Sequence, residues 1–272
     1  VISELLFWGA VLGYAAASAM IIINHQQGVR QPSVMSWWFA AVAWFLHLQL
    51  LAGQLTQGAG GLTLDLSASL AWITGAVGGL YLIGWRLRRN EGRSVGLVLM
   101  PLITVALLAS YVVPHKPSVT HSIHDPLLMA HLGLSLAAYG LFTIATVLAG
   151  LDAFQERSLK TKHMGKLFSL LPPIGVIEET LFFLLSLGFV TLSLSIVTGI
   201  AYTHSHHGVW FVFSHKVVFT WITWALIGAL LIGHHVYGWR GRRAVNLTAL
   251  SYLFLVLAYL GVKVVTEFIL VK

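Results

Sequence analysis

Apolar residues fall in eight long runs along this chain, at about 3–23, 34–53, 65–86, 94–113, 126–151, 178–204, 212–236 and 244–268, with polar residues gathered between them. Each run approaches the ~20 apolar residues that a helix needs to cross the hydrocarbon core of a bilayer. The pattern predicts an all-α polytopic membrane protein with about eight transmembrane helices, forming a single membrane domain over residues 1–272. The first run has no basic leader and reads as a true span rather than a cleaved signal. One connection is sizeable, 152–177, where four basic residues and Pro172-Pro173 flank an apolar cluster at Leu167, Phe168, Leu170 and Leu171. It reads as an interfacial segment at the inner surface.

Composition strengthens this reading and excludes others. Hydrophobic residues make up 57% of the chain, charged residues only 9%, and the mean hydropathy is +0.83, which no ordinary soluble domain shows. The net charge of +7 is not a nucleic-acid footprint, because the basic residues mark alternate connections. Arg30 follows the first run, Arg86, Arg88, Arg89 and Arg93 the third, Arg157, Lys160, Lys162 and Lys166 the fifth, and Arg240, Arg242 and Arg243 the seventh. Positive charge on odd-numbered connections is the positive-inside pattern, and it predicts an N-out/C-out protein of the inner (cytoplasmic) membrane, in contact with lipid. Tryptophans 37, 38, 85, 210 and 239 fall near run ends, as an interfacial belt requires. The absence of cysteine leaves His, Met or oxygen as the only metal ligands.

Histidine is the residue type that this pattern makes informative. His47, His131, His204 and His234 lie inside or at the edge of apolar runs, where imidazole is costly unless something coordinates or hydrogen-bonds it. His115, His121, His124, His206 and His207 fall on even-numbered connections and are expected on the outer side, while His163 belongs to the long inner connection. At 1.5 Å per residue, His47 lies ~22 Å from the inner surface, at a depth like that of His131, which follows Pro126 by one helical turn. His204 and His215 lie slightly above them, so the expectation is an outer cluster of His47, His131 and His204. His234 lies near the inner end of the seventh run, and its neighbour His235 points about 100° away. Neutral imidazoles from different helices suit the iron of b-type heme, a better match than zinc or copper for a chain without thiols. Ser135 and Tyr139 share the face of His131 and are candidate second-layer partners, and Thr220, Thr223 and Ile227 share that of His234. Lys216, at the outer end of the seventh run, has no sequence-local partner and is expected to meet a heme propionate. Lys263 and Glu267 are spaced as an i,i+4 pair.

The segments that carry these histidines resemble the cytochrome c assembly protein family, which includes the heme-handling subunit of the system II cytochrome c synthetase and smaller HemX-like relatives. His131-Leu-Gly-Leu-Ser-Leu-Ala-Ala-Tyr139 resembles the segment bearing an outward heme histidine. Leu171-Pro-Pro-Ile-Gly-Val-Ile-Glu178 and Gly188 to Gly199 are similar to the family's proline-containing, Gly-terminated sixth helix. Gly233-His-His-Val-Tyr-Gly-Trp-Arg-Gly-Arg-Arg243 and Tyr259-Leu-Gly-Val262 resemble its membrane heme histidine, basic loop and last helix. The family's tryptophan-rich outer loop is reduced here to Trp210 and Lys216, with His215 near an acidic position, and no histidine follows the eighth run. If His131 is an axial ligand, the resemblance then leaves His47 or His204 as its counterpart.

What the resemblance implies is a short HemX-like member that binds one or two b-type hemes and relays them for cytochrome c assembly. It would bind, orient and tune iron rather than turn over substrate as an enzyme on its own. Its partners would be heme, lipid and an apocytochrome or another membrane subunit. Two other expectations stand beside it: a heme-bearing or structural accessory subunit of a larger complex, and a transporter with a histidine proton relay.

Overall fold

We describe the structure, a computed structural model, over residues 2–27, 34–57, 61–87, 92–115, 120–122, 124–162 and 171–269. Within them α1 spans Ile2–Gln26, α2 Val34–Gln57, α3 Leu66–Leu87, α4 Gly92–Val112, α5 Pro126–Lys160, α6 Ile174–His207 and α7 His215–Tyr237. The last helix, α8 (Arg242–Val256), runs on through π-helical turns at Leu257–Gly261 and Val265–Ile269. Among the described residues, eight helices are long and apolar enough to cross a membrane. Two three-residue strands, β1 (Gly61–Thr63) and β2 (Thr120–Ser122), pair antiparallel at one end, with Leu62 opposite His121.

The eight runs of the sequence are therefore helices, and two of them, α5 and α6, extend furthest beyond the runs. Helix α5 continues to Lys160, well past the apolar run that ended at 151, because polar side chains there find cover. Asp152, Gln155 and Ser158 are buried, and Gln155 Nε2 donates to the Pro172 carbonyl at 2.9 Å. At about 52 Å, α5 exceeds the ~30 Å hydrocarbon core, so its last turns project beyond it. Of the expected interfacial segment 152–177, the start is thus part of α5, 163–170 lies outside the described residues together with His163, and α6 begins at Ile174 behind Pro173. Helix α6 in turn runs to His207 and stops at Gly208, whose φ of +69° is a left-handed C-cap. His206 and His207, expected in a connection, are in its last turn.

Helices α1 to α4 pack together, α5 pairs with α6, and α7 pairs with α8. Helix α5 joins these groups, touching α3, α4, α6 and α8. Its residues 138–145 are all buried, the all-round apolar surface of a helix enclosed by neighbours. Gly140 permits the closest approach: a Cβ there would lie 2.5 Å from Leu80 Cδ1 and 3.5 Å from the α3 backbone at Ala76 and Val77.

Polar side chains stitch α3, α5 and α8 together. The Tyr139 hydroxyl donates to the Leu255 carbonyl at 2.5 Å, just before the first π turn, and Thr143 meets the Tyr252 hydroxyl at 2.9 Å. Ser69 of α3 meets the Tyr259 hydroxyl at 3.0 Å. The expected Lys263–Glu267 pair forms at 3.3 Å and is more than local. Lys263 also donates to the Leu64 carbonyl, and Glu267 Oε2 accepts from Leu66 N at 3.1 Å, so the pair docks α8 on the start of α3. Asp125 caps α5, accepting from Leu127 N and Leu128 N, and its other oxygen meets His206 Nε2 at 3.0 Å across to α6.

Gly140→Val is expected to lower stability by about 1–3 kcal/mol through overpacking at the α3–α5 crossing, seen as a lower thermal midpoint in detergent. Gly150→Ala is its control, since a Cβ there meets nothing within 4 Å. Asp125→Ala is expected to cost about 1 kcal/mol by removing a cap, whereas Asp125→Asn, which caps as well, costs much less; the same melting experiment ranks the two.

Candidate functional site

The outer site is built where α5 and α6 run antiparallel. His131 Nδ1 lies 2.8 Å from the Ser195 carbonyl and 3.3 Å from its hydroxyl, and Ser135 meets that hydroxyl at 2.7 Å. A carbonyl only accepts, so Nδ1 carries a proton, and in the neutral ring Nε2 then keeps its lone pair. No protein hydrogen bond engages Nε2 among the described residues. The ring lies against Gly199, where a Cβ would come within 3.0 Å of it. Gly199 is thus a small residue for a reason: any side chain would push the imidazole off α6. Ser135 acts one step away, by orienting the serine that orients His131.

The inner site is a turn folded around His234. Gly238 and Gly241 have φ values of +65° and +55°, left-handed geometry that favours glycine. Between them Trp239 turns back onto Gly233, where a Cβ would lie 2.2 Å from the indole. This places the Trp239 carbonyl 3.0 Å from His234 Nδ1, fixing the same tautomer as at His131. The imidazole stacks on Phe182 of α6, with centroids 3.5 Å apart. Glu178 holds the turn from α6 by accepting from Gly241 N at 3.0 Å. His235 is exposed and points away, bonded through Nδ1 to the Leu231 carbonyl of its own helix at 3.2 Å. Thr223 and Ile227 are buried on the same helix.

The other sequence candidates are dispersed. His47 is fully buried between α1, α2 and α3, with its ring 6.1 Å from that of Tyr14 and against Gly75 of α3. His131 faces α6 instead, on another side of α5. His204 is half-buried and stacks on Trp210 at 3.9 Å. Nine residues after Ser195, it points to the opposite side of α6 from the one His131 covers. Lys216 Nζ stands 5.7 Å from the Tyr259 ring centre, within cation–π range. Val209 to Phe213 form an exposed apolar rim beside His204, with Phe213 93% exposed.

Sequence reasoning missed Ser195, Gly199, Phe182, Trp239 and His206 as parts of these sites. Helical spacing was the available signal for three of them: Ser195, Gly199 and His206 repeat at four and seven residues along one face of α6. His206 shares the face that His131 covers, but its Nε2 is committed to Asp125 and its Nδ1 lies 3.2 Å from the Tyr202 carbonyl. Among the described residues, no three His, Asp or Glu side chains cluster as a metal site, so the histidines stand as separate donors.

Residues 35–270 match the family described as Cytochrome C assembly protein. The chain is 36% identical over 222 residues to an uncharacterized 28.8 kDa protein in the nifR3-like 5' region of Azospirillum brasilense, covering 80% of this chain and 81% of that one. It is 29% identical over 269 residues to the inner membrane protein YpjD of Escherichia coli K12, covering 96% and 97%. To protein HemX of Brevibacillus brevis it is 27% identical over 169 residues, covering 61% and 62%. With nearly its whole length inside the family match, this chain belongs to the cytochrome c assembly protein family.

Proposed function

We propose that this protein binds b-type heme through His131 and His234 and holds it for transfer during cytochrome c assembly in the inner membrane. The observation that carries this reading is a shared geometry. On two separated faces of α6, an imidazole donates Nδ1–H to a backbone carbonyl and leaves a neutral Nε2 free. That is the state an iron ligand needs, with the proton held by a second-layer partner. Heme, when bound, supplies one-electron iron chemistry. The chain's own residues orient the donors, exclude water and set the tautomer.

At the outer site Ser195, held by Ser135, keeps the His131 ring in place over Gly199. Trp210, stacked on His204, and Lys216 lie at the same outer end, where a lysine suits a carboxylate of the macrocycle. His47 is enclosed and His204 points round the helix, so each site is read as presenting one protein ligand. Any further ligand to the iron would come from outside these helices. Single ligation suits a carrier, because heme held on one side is more easily passed on. The exposed rim at Val209 to Phe213 is the surface for lipid or for the accepting polypeptide. The positive-inside pattern of the sequence supports reading this end, with both termini, as the outer one.

Purified from heme-replete cells, the protein is expected to carry heme with a high-spin, five-coordinate spectrum that turns low-spin when imidazole is added. His131→Gly and His234→Gly should each lower heme content, restored by millimolar imidazole, and the double variant should lose nearly all of it. Wild-type heme content in the double variant would sink the reading. Because the chain has no cysteine, orientation can be read from single replacements: Phe213→Cys should react with an impermeant maleimide added outside, and Arg240→Cys only after the membrane is opened.

A further inference from the structure

Near the inner end of α5, just past the apolar run, two buried acceptors share a stretch of helix surface without a protein donor. Asp152 is 2% exposed and Gln155 3%, and among the described residues neither Asp152 Oδ2 nor Gln155 Oε1 has a hydrogen-bond partner. Three residues apart, they are neighbours on the helix. Gln155 cannot turn its amide to help, because Nε2 is committed to the Pro172 carbonyl at 2.9 Å. Two acceptors cannot bond to each other, and a buried acceptor left unmet costs free energy.

The charges that act on Asp152 are of its own sign. They are Glu178 of α6 and Glu156 of its own helix, and Glu156 is itself paired with Lys160. No described cation forms an ion pair with Asp152. About 39 Å along α5 from Pro126, Asp152 lies past the ~30 Å hydrocarbon core. Burial, with the carboxylates of Glu178 and Glu156, pushes its carboxyl from the ordinary 3.8 up to about 6. Glu178 is also the residue that accepts from Gly241 N at 3.0 Å, in the turn whose Trp239 carbonyl holds His234. One carboxylate thus connects Asp152 to the turn.

We infer that Asp152 and Gln155 form a proton-binding site, and that its proton sets how firmly Glu178 holds the turn around His234. Protonated, Asp152 gains an O–H for Gln155 Oε1, so one proton satisfies both acceptors. It also removes a negative charge that acts on Glu178. Ionised, Asp152 repels Glu178 and leaves both oxygens unmet. A carboxyl whose pKa is raised by folding stabilises the fold while it is protonated. That stabilisation is fully present below the ordinary 3.8 and is lost as pH rises through about 6, so the turn is held more firmly in acid.

The test uses the full chain, free of heme, in lipid nanodiscs, so its outcome is separate from that of the heme reading. Infrared difference spectra between about pH 5 and about pH 8 are expected to show a carboxylic-acid C=O band that titrates near pH 6. The band should vanish in Asp152→Asn and change frequency in Gln155→Leu. Asp152→Asn should also remove a fall of a few degrees in thermal midpoint over that range, because its amide keeps a donor for Gln155 without the charge. For the turn, amide exchange over residues 238–243 is expected to be about twofold or more slower in Asp152→Asn than in wild type at about pH 8, and equal at about pH 5. In a Glu178→Gln background the difference should disappear. A band unchanged in Asp152→Asn, or parallel melting profiles as a bridging water would give, overturns the proton site. Equal exchange at both pH values overturns the link to the turn.

Discussion

The antiparallel packing of α5 on α6 is the contact on which the rest of the molecule depends. Its register is set by three polar links, from Asp125 to His206, from His131 to the Ser195 carbonyl, and from Ser135 to the Ser195 hydroxyl. The His131, Ser135 and Ser195 groups would be costly in hydrocarbon without their partners, and Asp125 with His206 ties the outer end, so a slip of one turn would strand several at once. Apolar packing alone is far less selective, because leucine faces tolerate many registers and lipid competes for them. The same α5 carries Tyr139 and Thr143 to α8 and Gly140 to α3. The helix that orients His131 therefore also holds the two halves of the protein together.

A second principle recurs at the inner end, reached by different means. There the partner of the imidazole is not a neighbouring helix but a turn, closed by two left-handed glycines and by Trp239 lying on Gly233. Two unrelated local structures thus produce one arrangement, a histidine whose Nδ1 is committed to a backbone carbonyl. The Gly-Trp-x-Gly run acquires a physical meaning from this: each of its glycines is where the backbone must bend backwards, while Gly233, five residues upstream of Gly238, leaves room for the indole.

The buried polar groups also separate helix roles. Those between α3, α5 and α8 have partners across helices, as a structural seam should. His47 does not, although it is the most enclosed of the four histidines. Burial in this protein thus means different things at different positions, distinguished by whether the hydrogen bonds close.

How much of this was legible in the sequence follows from the range of the forces involved. Eight helices, their membrane setting and four costly histidines were readable, because hydrophobicity over twenty residues and the burial cost of imidazole are local properties. The Lys263–Glu267 pair was readable for the same reason, being one helical turn. The ends of α5 and α6 were not, since Gln155 and His206 stay helical through contacts with residues far away in the chain. Nor was the division among the histidines: depth put His47 level with His131, but depth is one coordinate, and the direction in which each ring points is another. Only the packing of α5 against α6, and of α2 against α3, decided that His131 meets a carbonyl and His47 meets a glycine. A sequence specifies what each side chain must satisfy; which partner satisfies it is a property of the assembled bundle.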